Sequence, residues 1–158
     1  MRLWQAILTI SAAAGLTAPA AAQSDVYVPI ARTDNVIVLI QMAGEVPRGR
    51  KTTHVSQFAY YFAPGFSFEG VPIRLTETEF EIDCENGTSR RVRASAYRDI
   101  GDRVGSESYG DPWGPIPAGM GDMLRLACEG IGRDDPIYGT LSSAVGAYGR
   151  LMGDASAG

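Results

Sequence analysis

One histidine and two cysteines in 158 residues are too few for several kinds of chemistry. No HExxH, GxSxG or CxxC spacing occurs, and no glycine-rich run has the form of a phosphate loop. The residue sets of zinc hydrolases, serine hydrolases, dithiol oxidoreductases and nucleotide-binding loops are therefore missing. His54, at the end of a basic loop, reads as an exposed residue and not as a base beside a nucleophile. No catalytic residue, metal site or cofactor is expected. Basic charge is also short: 14 Lys and Arg stand against 18 Asp and Glu, a formal charge of −4. That balance argues against a general binder of nucleic acid or anionic lipid. Beyond the N-terminus no apolar run is long enough for a transmembrane anchor.

What the sequence does contain begins with Met1-Arg2, an apolar run from Leu3 to Leu16, and small residues at Ala20 and Ala22. This reads as a secretory signal peptide over 1–22, cut before Gln23, and no cysteine at the junction provides a lipid anchor. The expectation is a bacterial periplasmic or secreted protein. Export and even parity predict a disulfide between Cys84 and Cys128. A reactive thiol pair is the alternative, disfavoured by the lack of CxxC.

Along the mature chain, strands follow strands. Asp25–Ile30 and Val36–Met42 flank a turn at Arg32–Asn35, and the exposed loop Gly44–His54 leads into a strand at Thr52–Phe62. Ala63-Pro64-Gly65 ends it, Phe66–Pro72 is a short aromatic connection, and strands run from Ile73 to Cys84, back to Tyr97, and over Arg103–Tyr109. With no crossover helices the sheet must be antiparallel. Three prolines make 111–117 irregular. Gly119–Glu129 has helical spacing, with Met120, Leu124 and Cys128 on one stripe and Met123 and Ala127 alongside. The predicted fold is α+β: an antiparallel sheet of about six strands in residues 23–130, with a C-terminal helix packed on it and one disulfide. Residues 131–158 read as a flexible or weakly helical tail, in which Ile137, Leu141, Val145, Tyr148 and Leu151 hint at amphipathicity and six glycines oppose it.

The densest stretch is ETEFEIDCENGTSRRVR, Glu77 to Arg93. Strand alternation sends Thr78, Phe80, Ile82 and Cys84 to one face and Glu77, Glu79, Glu81 and Asp83 to the other, so the acids form a solvated stripe and not a calcium loop. A two-residue Asn86-Gly87 turn would set Phe80 opposite Arg93. The register that avoids a charge opposite a core aromatic pairs Ile82 with Val92, Phe80 with Ala94, Glu81 with Arg93 and Asp83 with Arg91, and needs a longer loop or bulge at Asn86-Gly87-Thr88. Turn chemistry explains Asn-Gly without a glycan on the sequon.

The ordered set Asp83-Cys84, Arg90-Arg91-Val92-Arg93, Ser95, Tyr97, Gly101, Trp113, Ile116-Pro117 and Cys128 resembles the bacterial surface-adhesin protein E-like family over roughly Asp25 to Cys128. The resemblance implies a six-stranded antiparallel sheet, a C-terminal helix tied to it by the cysteine pair, and binding to another protein. Asn86, Gly87, Trp113 and Pro117 are then structural. This chain departs from the family's namesake in lacking a lipobox cysteine and in its extra tail.

Two surfaces offer recognition. Arg48, Arg50, Lys51 and His54 form a basic patch that suits an acidic partner, with solvated loop charge as the plainer reading. In FAYYFAPGFSF, Phe58, Tyr60 and Phe62 read as core, whereas Tyr61, Phe66 and Phe68, if exposed together, make a contact surface. The expectation is an exported, non-enzymatic interaction domain that binds a protein; the alternative is a periplasmic inhibitor or small-ligand binding protein.

Overall fold

A nearly continuous apolar run such as VIVLIQM is stable as a strand only with protein against both faces. The computed structural model describes residues 25–42, 51–63 and 66–155, and in it this run is β2 (Val36–Met42), with Ile37, Leu39 and Ile40 fully buried. The expected leader 1–22, Arg48, Arg50 and the Pro64-Gly65 break lie outside the described residues. β2 lies between β1 (Val26–Arg32) and β3 (Thr52–Tyr61), followed in space by β6 (Leu75–Asp83), β7 (Thr88–Asp99) and β8 (Asp102–Ser108), every neighbour antiparallel. Between β3 and β6 the chain makes a separate hairpin, β4 (Phe66–Phe68) and β5 (Val71–Ile73). A two-residue strand, β9 (Gly114–Pro115), pairs with the start of β7. Two helices complete an α+β fold: α1 (Gly121–Glu129) and α2 (Leu141–Ala155).

The helices cover opposite faces of the sheet, as residue parity requires. Val28, Ile40, Met42, Val55, Phe80 and Ile82 form one core with Met123, Leu126 and Ala127 of α1. Ile37, Leu39, Phe58, Tyr60 and Leu75, the alternate residues of the same strands, form a second core with Leu141, Ala144 and Val145 of α2. The segment expected as a flexible or weakly helical tail is thus partly a packed helix. A reciprocal pair of bonds starts it: the Ser143 N–H donates to Thr140 Oγ1 at 3.0 Å and the Thr140 N–H to Ser143 Oγ at 3.3 Å. Just upstream, Tyr138 exchanges both backbone bonds with Tyr27 on the outer edge of β1. Burial outweighs the helix-weakening glycines.

On α1 the buried stripe is Met123, Leu126 and Ala127; Met120, Leu124 and Cys128, expected at its centre, lie at its border. From that border Cys128 bridges to Cys84 just beyond β6, with Cα atoms 5.5 Å apart. The disulfide is consistent with an oxidising location outside the cytoplasm. Among the described residues no helix is long and apolar enough to cross a membrane.

Two expectations about the strands need correction. Phe66–Pro72 is not a plain connection but the β4–β5 hairpin, turned at Glu69 and Gly70 with φ of 49° and 80°, the positive pair of a type I′ turn. The β6–β7 register is displaced from the expected one: Asp83 pairs with Thr88, Ile82 with Ser89, Glu81 with Arg90 and Phe80 with Arg91, then a bulge at Val92 resets it to Glu79 with Arg93. The cause is the loop. Asp83 Oδ1 accepts from the backbone N–H groups of Glu85 and Asn86, and Oδ2 accepts from Asn86 Nδ2, closing four residues (84–87) in place of two, with Gly87 at φ 64°. These bonds, the Asn86 amide first, hold the Asp83 carboxyl below its usual range.

Candidate recognition surface

Of the two expected surfaces, the basic one is the weaker in geometry. Lys51 pairs with Glu85 at 3.2 Å. His54 lies within β3 and not in a loop; its Nε2 is 3.7 Å from Glu81 Oε1, on the α2 face. That face carries the acidic stripe of β6, and β7 answers it: Arg90 bonds Glu81, Arg93 bonds Glu79, and Tyr97 donates to Glu77 at 2.5 Å. The Arg90 bond is the main reason the Glu81 carboxyl lies below its usual range. The stripe is therefore solvated but paired. Among the described residues no group of His, Cys, Asp and Glu side chains that could hold a metal occurs.

The aromatic residues sit at the other end of β3, away from Lys51 and His54. Tyr61 and Phe66 meet edge to face with ring centres 5.5 Å apart, and Phe66 is 43% exposed. Phe68 is less exposed because its ring covers Gly105 of β8, where a Cβ would come within 2.8 Å of Phe68 Cε1. This close approach requires glycine at 105 and lets the hairpin rest over the α1 face, beyond the helix. Beneath it a cavity of ≈ 230 Å³ is lined by Phe66, Phe68, Ala94 and Thr78.

Thr78 also lines a larger open cavity of ≈ 400 Å³, bounded by Gln57, Arg91 and Asp111 and walled by Pro115, Pro117 and Met120. The two cavities adjoin on the α1 face, between the 109–117 loop and the hairpin. Arg91 is the residue that sequence reasoning misplaced. Pairing it with Asp83 would have kept it on the acidic stripe, but the register and the Val92 bulge turn it to the opposite face, across from Phe80. There its guanidinium carbon stands 3.6 Å from the centre of the Tyr109 ring, and its Nε donates to Asp111 Oδ2 at 3.2 Å. Tyr109 in turn donates to Glu107 at 2.9 Å, and that bond is the largest cause of its raised pKa. The sequence signal that could have found this group is the Tyr-x-Asp-Pro-Trp run itself, aromatic and acidic residues in a segment that cannot be regular strand.

Trp113, read as structural, stacks under Arg90 at 5.0 Å and remains 42% exposed. Pro117 lines the larger cavity. Asn86 and Gly87 serve the β6–β7 loop as described. Searches against protein-family models, curated proteins and solved structures give no match to this chain. The arrangement offers an apolar rim, an oriented guanidinium, the Thr78 hydroxyl and the Gln57 amide, a combination suited to binding.

Proposed function

We propose that this chain is an exported, non-enzymatic interaction domain, akin to the surface-adhesin protein E-like family, that binds a protein partner through the α1 face. The carrying observation is the exposed Phe66, stacked on Tyr61 and lining the smaller of two adjoining cavities. Large aromatics left uncovered beside a concave surface are the anchors from which protein interfaces draw most of their energy. The basic patch contributes less, because its described members face carboxylates. A second reading, a small-ligand binding protein, draws on the ≈ 400 Å³ cavity, which lies within the size range of ligand sites.

The test is capture from envelope and culture fractions with the exported protein as bait, beside Phe66→Ala. The proposal expects one stoichiometric protein, lost in the variant. Capture indifferent to Phe66→Ala, or no capture, overturns it. A stoichiometric envelope enzyme would identify an inhibitor, and a small molecule retained in native mass spectrometry would favour the second reading.

A further inference from the structure

Arg91 stands opposite the core with 40% of its side chain still in solvent. It crosses Phe80, a core residue, and reaches the α1 face only through a bulge. Once there it is oriented on two sides, by the Tyr109 ring against its plane and by Asp111 on its Nε edge. Its Nη groups have no protein partner among the described residues. Bulges that re-aim one side chain belong beside functional sites, and a planar guanidinium fixed in this way presents a two-pronged donor to a carboxylate. Asp111 and Glu107 flank the same trough beside Arg90 and Arg91, so repulsion grows with ligand charge and disfavours a doubly charged phosphate ester more than a single carboxylate. From Thr76 to Phe80 the floor of the trough runs five residues along β6, four steps or about 13 Å at the rise of a strand. That matches about four residues of extended peptide.

We infer that this trough seats the C-terminus of an extended polypeptide, its terminal carboxylate on the Nη groups of Arg91 and a preceding apolar side chain in the cavity beside Phe68. The carboxylate takes both Nη donors; Gln57 and Thr78 meet backbone amides; Ala94 leaves room for the side chain. The inference deepens the interaction-domain reading and rests on it: it names the part of the partner that is held.

The test uses the intact exported protein and two arrays of random hexapeptides tethered by their N-termini, one with free C-terminal carboxylates and one amidated. Retention is expected on the free array alone. The best sequence, resynthesised, should lose about tenfold or more in affinity on amidation, and Arg91→Gln should cost the unmodified peptide the same factor. Applied together, the two changes should cost no more than either alone. Ala94→Phe, which fills the apolar cavity and leaves Arg91 in place, should also abolish binding. Because the amidation comparison uses unaltered protein, it decides even if Arg91→Gln fails to fold. Equal retention on both arrays, retention on neither, or binding of hexanoate with no peptide selected would overturn the proposal. If instead the captured partner binds the Arg91→Gln protein undiminished, the partner uses another surface and the interaction-domain reading stands alone.

Discussion

Replacing Cys84 and Cys128 together by alanine tests what holds α1 to the sheet. The bridge spans 44 residues and encloses β7, β8, β9 and most of α1. On the chain-entropy account, opening a loop of that length returns ~4 kcal/mol of freedom to the unfolded chain. For a domain of this size such a loss lowers Tm by roughly 10–15 °C. The folded state responds differently. Met123 and Leu126 are fully buried against the sheet, and each side chain contributes roughly 1.5–3 kcal/mol to docking. Arg125 ties the helix to the segment that follows it through a two-pronged pair with Asp135, both bonds 2.9 Å, so docking on the sheet rests on the buried side chains. In the alanine variant α1 should therefore stay docked on average. It should, however, open as a unit before the sheet, since an isolated helix of nine residues is marginal in water. Hydrogen exchange read residue by residue is the assay, with urea unfolding for the global term. The expected result is that amides at the C-terminal half of α1 exchange with a lower opening free energy than those of β2, whereas in the bridged protein the two agree. A global loss below about 1 kcal/mol would refute the loop-entropy account. Coincident opening of α1 and β2 in the variant would refute the claim that the bridge, beyond burial, makes the helix part of the cooperative unit.

Gly105→Ala should lift Phe68 off β8 and destabilise the protein by about 1–3 kcal/mol, the usual range for overpacking; urea unfolding measures it, and an unchanged midpoint would show that the hairpin is not held by this contact. Tyr97 makes the alkaline limit steeper: burial first, and the bond to Glu77 second, push its pKa up to about 12. The folded state thus keeps a proton that the unfolded state gives up near pH 10, so this contribution is complete below about pH 10 and is lost as pH rises through about 12. Tyr97→Phe should flatten the fall of Tm across that window, and a slope as steep as in the unaltered protein would count against the assignment.

Much of the fold was legible because its signals are local. Alternation alone separated Phe80 and Ile82 from Glu79 and Glu81, and the structure places the two sets on opposite faces. Cysteine parity found the bridge. What escaped was settled at a distance. α2 is written in weak residues, and only contact with Phe58, Tyr60 and Leu75 across the sheet makes Leu141, Ala144 and Val145 a core. The I′ turn of the β4–β5 hairpin uses Glu69, a residue with no preference for positive φ, so nothing local announces it. In the candidate site, Tyr61 and Phe66 were legible as neighbours in a short aromatic run, whereas Arg91 was not.

The Arg91 case shows why. The rule against a charge opposite a core aromatic is sound, and it selected the wrong register because it weighed only the two strands. The fold violates it and compensates from a third segment: Tyr109 offers a ring at 3.6 Å and Asp111 a carboxylate at 3.2 Å. At exposed sites these contribute about 0.5–1 and 0–1 kcal/mol respectively. That is enough to tolerate the arginine and too little to explain it as a stabilising feature. A stability argument alone would favour an apolar residue across from Phe80. Arg91 keeps 40% of its side chain in solvent, so the contacts with Tyr109 and Asp111 have little desolvation to offset; what recommends it as a binding residue is that its Nη donors stay open to the cavity it lines. For this reason the α1-face trough, rather than the longer and better-paired acidic stripe, carries the binding proposal.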